Sequence, residues 1–147
     1  MMTQRDREKL VRYHLFKYSE HKREIDDYEL NVIYGQKPMD ISGVHGTAIS
    51  DPSARKGMQL IDKPEHIIRN QQWIEAINNG LRELKAMDGG DEHGLNYICK
   101  SFYGINKRRI GTVRIAIECA LSRASVYNKL QLITTIMTVH AALKGLL

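Results

Sequence analysis

Two cysteines, three prolines and an aromatic content of 7% are what this 147-residue chain has least of, and each scarcity excludes something. Cys99 and Cys119 form no C-x-x-C pair and sit among apolar residues, so a disulfide framework and a cysteine-rich zinc site are both ruled out. Both read as reduced, mostly buried thiols. So few prolines and aromatics disfavour a sandwich of short strands and favour helices. No uninterrupted apolar run approaches the roughly 18 residues of a membrane span. Met1 opens no charged, apolar, small-residue leader, so the expectation is a cytoplasmic protein with no membrane partner.

Chemistry-bearing motifs are missing as well. There is no G-x-x-x-x-G-K-[ST] phosphate loop, no G-x-G-x-x-G and no G-x-S-x-G elbow. The six histidines are scattered and build neither H-E-x-x-H nor a Cys/His quartet. Asp26-Asp27 and Asp91-Glu92 are adjacent carboxylates, but neighbours on a helix point about 100° apart and cannot serve one metal or proton together. The expectation is a non-enzyme without cofactor or metal. At 42% hydrophobic, the length suits one moderate core.

What is present is an uneven charge. The net +5 conceals a balanced start, with seven residues of each sign in 1–30, and a basic end, where 95–147 carry eight Lys or Arg against one acid. Such a segment suits a polyanion, because neutralised phosphates release condensed counterions. A solvated basic face with no partner is the alternative.

Residues 3–33 contain neither Pro nor Gly. Val11, Leu15, Tyr18, Lys22, Ile25, Glu29 and Val32 recur there at alternating four and three spacings, which predicts one long helical arm over 1–33. Its seam would either pair with a second copy as a homodimer or pack against its own domain. Residues 34–63 hold Gly35, Pro38, Gly43 and Gly46 and read as a loop followed by a short linker helix starting at Asp51-Pro52. The remainder, 64–147, reads as a bundle of about four helices. Pro64 opens a helix ended by Asp88-Gly89-Gly90, Asp91 or Glu92 starts the next, and Gly104 ends it. The fold class expected is all-α.

The informative stretch lies at about 112–131 and contains TVRIAIECALSRASVYNKL. With Thr112 as cap, Val113, Ala116 and Ile117 would face the core and Arg114 and Glu118 water. After a turn through Cys119-Ala120-Leu121, Ser122 would cap a second helix with Val126 and Leu130 inward and Arg123, Ala124, Tyr127 and Asn128 outward. This is a helix-turn-helix layout, and Lys107, Arg108 and Arg109 precede it where phosphates would approach. Exposed Arg pairs with guanine and exposed Asn with adenine. A buried helical hairpin is the competing reading of the same string.

The order of a charged N-terminal helix, YGQKPMD, SDPSAR, a long helix, then Phe102-Tyr103 ahead of IAIECALSRASVYNKL resembles the RinA/ArpU family of phage late-gene transcriptional regulators. It does so over nearly the whole chain. The C-terminal part is also similar to region four of bacterial sigma factors. Ala120 departs from the pattern at a turn position where Gly is common. The resemblance implies base reading by Ser122, Arg123, Ser125, Tyr127 and Asn128, with Lys129 at the margin, and backbone contacts from Lys107, Arg108, Arg109 and Arg114. It also implies double-stranded DNA and host RNA polymerase as partners, and activation by polymerase recruitment in the bacterial host cytoplasm. A small-terminase-like DNA-packaging protein and a protein-binding helical module without DNA binding are the alternatives.

Overall fold

The computed structural model describes residues 2–34 and 63–147. Among them the fold is all-α, as expected: α1 Gln4–Phe16, α2 Tyr18–Tyr34, α3 Glu65–Asp88, α4 Leu95–Tyr103, α5 Thr112–Cys119 and α6 Arg123–Leu143. The expected loop and linker helix, with the YGQKPMD and SDPSAR strings, lie outside the described residues apart from Tyr34 and Lys63. No helix among the described residues is long and apolar enough to cross a membrane.

The single N-terminal arm is corrected to two helices that belong to the core. The chain turns at Lys17 (φ −92°, ψ 2°), which lets α1 lie against α6 while α2 lies against α3. A straight helix could not follow both. Val11, Leu15, Tyr18, Ile25 and Val32 are all buried within this one chain, and Tyr18 donates a 2.7 Å hydrogen bond to Asn78 Oδ1 on α3. The four-three seam therefore packs in cis and is not open to a second copy. The seam does not offer the homodimer surface that its spacing also allowed.

The central helix α3 buries Ile67, Trp73, Ile77, Leu81 and Leu84. Gly80, a weak helix former, sits where α6 crosses: a Cβ there would lie 2.3 Å from Met137 Sδ. Close approach explains the glycine. α3 ends at Gly89 in the left-handed region (φ 60°). The cap of α4 is not Asp91 or Glu92 but Asp88, whose carboxylate accepts from the N–H groups of Leu95 (2.7 Å) and Asn96 (2.9 Å). A carboxylate on those orphan amides satisfies donors that the helix itself cannot.

Two contacts join the C-terminal helices to the body. Ile105, fully buried after Gly104, inserts into the core. Ile110 N–H donates to Ser101 O at 2.9 Å and ties the loop 104–111 back to α4. Buried Thr134 and Thr138 on α6 donate to the carbonyls of Leu130 (3.0 Å) and Thr134 (2.7 Å), so neither hydroxyl is left unsatisfied.

Candidate nucleic-acid interface

α5, the turn residues 120–122 and α6 form the expected helix-turn-helix. Its turn is a complete Schellman closure: Leu121 N–H donates to Ala116 O (2.9 Å) and Ala120 N–H to Ile117 O (3.2 Å). The geometry demands a left-handed residue, and Ala120 supplies it at φ 54°. α5 differs from expectation in two respects. Gly111 is its cap residue, and Thr112 is the first residue of the helix itself. The helix is also turned about its axis: Ile115 is fully buried, whereas Val113 and Ile117 are 57% and 75% exposed. Ala116, Cys119 and Leu121 are partly buried against the core to which Ile115 belongs. Arg114 faces water as expected and pairs with Glu118 at 3.1 Å.

The second helix matches the reading made from its residues. Ser122 Oγ accepts from Ser125 N–H at 3.1 Å and donates to Ser125 Oγ at 3.0 Å, a side-chain cap of the usual kind. Val126 and Leu130 are buried, and Arg123, Ala124, Tyr127 and Asn128 are exposed, with Ser125 and Lys129 half-buried. The Arg123 guanidinium lies 5.9 Å from the Tyr127 ring centre. Hydrogen bonds from Thr112 and then Arg123 hold the Tyr127 phenol below its ordinary pKa.

The three basic loop residues have different environments. Lys107 Nζ donates to the buried Ser101 Oγ (2.8 Å) and lies 4.1 Å from the Tyr97 ring centre. Arg109 stacks over Phe16 at 4.5 Å and Phe102 at 5.4 Å. Arg108 is exposed and has no such partner among the described residues. Lys107 and Arg109 line a shallow groove with Phe16, Lys17, Arg23 and Gly104. Tyr127 lines an adjoining cleft that shares Phe16 and adds Phe102. α6 and the basic groove are therefore neighbours across two aromatic rings.

Arg23 and Lys17 were missed by sequence reasoning. They lie in the charge-balanced first thirty residues, and only the packing of the N-terminal helices beside loop 104–111 brings them to the groove. Lys17 is paired with Glu20 at 3.0 Å; Arg23 is exposed.

The chemistry on offer is cationic and hydrogen-bonding. Cys99 is buried, which pushes its thiol up to about 12, so it carries no thiolate at neutral pH. Among the described residues no group of three His, Cys, Asp or Glu side chains could hold a metal. No family model, no curated protein and no solved structure matches the chain.

Proposed function

We propose that this chain is a sequence-specific DNA-binding transcription regulator that reads the major groove with the first two turns of α6. The observation that carries the reading is the division of those turns. Val126 and Leu130 anchor the helix to the core, leaving Arg123, Ala124, Tyr127 and Asn128 as a short polar surface. A recognition helix has this construction: its N-terminal residues reach base edges while its inner face fixes it to the preceding helix. Arg108, Arg109 and Arg23 beside it supply charge for phosphates. In the role that the RinA/ArpU resemblance implies, the DNA is a phage or prophage late promoter and activation follows from recruiting host RNA polymerase. No catalytic group is needed for that.

Selection from a random duplex library tests the proposal. The expected result is enrichment of one defined motif by the intact chain. Recovery of random sequence, with binding that depends only on salt, would refute base reading.

A further inference from the structure

α6 continues for fifteen residues past Asn128, and along that length it carries a second four-three seam. Leu132, Ile136, Val139 and Leu143 recur at spacings of four, three and four. Unlike the seam of the N-terminal helices, most of this one faces outward: Leu132 is 42%, Val139 53% and Leu143 78% exposed, while Ile136 is half-buried against the core. Between Gln131 and Lys144 its flanks carry no unpaired charge. Gln131, Thr135 and Ala142 are neutral, His140 is bound to Glu83, and Lys144 Nζ lies 2.6 Å from Glu75 Oε2.

We propose that this seam is a homodimer interface in which α6 of a second copy packs antiparallel across it, about a two-fold axis between Ile136 and Val139. The register selects the occupant. Antiparallel pairing sets Leu132 against Leu143 and Ile136 against Val139, so every seam residue meets an apolar partner from the same sequence. It also sets Gln131 near Lys144 and Thr135 near His140, with no like charges opposed. Parallel pairing would bring Lys144 against Lys144.

The consequence for DNA rests on the reading of α6 as the recognition helix. The midpoint of the reading residues is twelve positions from the midpoint of the seam, or about 18 Å at 1.5 Å per residue. Doubling across the two-fold puts the two reading ends about 36 Å apart, against about 34–36 Å for one turn of B-DNA. The reading residues lie about a third of a turn round the helix from the seam. A two-fold perpendicular to the helix pair preserves that sideways offset, so both reading surfaces face the same side. The dimer fits an inverted repeat with half-sites one helical turn apart.

Sedimentation of the intact chain from low to high micromolar concentration tests the interface, with Val139→Glu and Leu143→Glu as variants of exposed positions checked for folding by circular dichroism. The expected result is a dimer whose dissociation constant rises at least about 100-fold in each variant, since the seam would bury the new carboxylates. The selected DNA is expected to contain two inverted half-sites, with the variants binding one. A chain that stays monomeric, alone and on a two-half-site duplex, would overturn the interface while leaving single-site reading intact. A dimer indifferent to both substitutions, or a larger ring, would also overturn it. A dimer broken by the substitutions but without sequence preference would uphold the interface and refute the DNA reading.

Discussion

Ala120 shows what a single residue contributes to the site. Its left-handed backbone (φ 54°, ψ 43°) closes the turn, and a Cβ in that region costs about 1–2 kcal/mol. Glycine removes that cost but gives back about 0.4–1 kcal/mol through a freer unfolded chain. Ala120→Gly should therefore stabilise the protein by about 0.5–1 kcal/mol, seen as a higher urea midpoint. A loss of stability would mean that the methyl group packs. Neighbouring arginines give a second contrast. Arg108→Ala should lower the salt dependence of DNA binding by about one unit of slope without changing the urea midpoint. Arg109→Ala should also destabilise the fold by about 0.5–2 kcal/mol, because its guanidinium covers Phe16 and Phe102. Equal stability of the two variants would contradict the stacking.

Legibility at this scale depended on whether the cause was local. The Ser122 cap and the inward Val126 and Leu130 could be read because each follows from spacing on one helix. The register of α5 could not, since TVRIAIEC holds two competing apolar stripes, 113/117 and 115/119, and only packing against the core decides between them. Asp88 was overlooked as a cap because it acts on a helix beginning seven residues later, beyond the reach of a rule about adjacent residues.

Among the elements, the junction of α1 and α2 is where sequence and structure part most. Turning at Lys17 brings His14 Nδ1 within 2.9 Å of His21 Nε2 and stacks the His14 ring on Trp73 at 3.9 Å between centres. Burial first, then the charges of His21 and Arg69, pull the His14 pKa from 6.5 down to about 4. Burial lowers His21 too, although Glu24 and Glu20 oppose it and Lys17 adds to it. Below about pH 6.5 the unfolded chain takes up protons that the folded chain refuses, so stability is complete above that pH and falls as pH drops toward 4. For a ring still half open to water the loss should be about 1–2 kcal/mol. Urea denaturation at about pH 7 and about pH 5 measures it, and His14→Phe, which keeps the stacking, should flatten the difference. An unchanged pH dependence in that variant would locate the effect elsewhere. His14 and His21 are seven residues apart, about 10 Å along a straight helix, so only the bend, which the spacing does not show, brings the two rings into contact.

Across the whole molecule, one core joins helices from both ends of the chain, and the basic excess of its last third surrounds the helix-turn-helix. The all-α class and the position of that motif were legible because they depend on composition and periodicity. The packing of the N-terminal helices was not, because a four-three seam is the same string whether it meets its own chain or another. Base reading by α6 through Arg123 is tested by comparing the intact chain with Arg123→Ala on the selected duplex and on an unrelated one. With circular dichroism unchanged, the substitution should cost about 1–3 kcal/mol on the selected duplex and relax preference at one base pair, with little effect on the unrelated duplex. Full affinity and full specificity in that variant would mean that Arg123 reads no base.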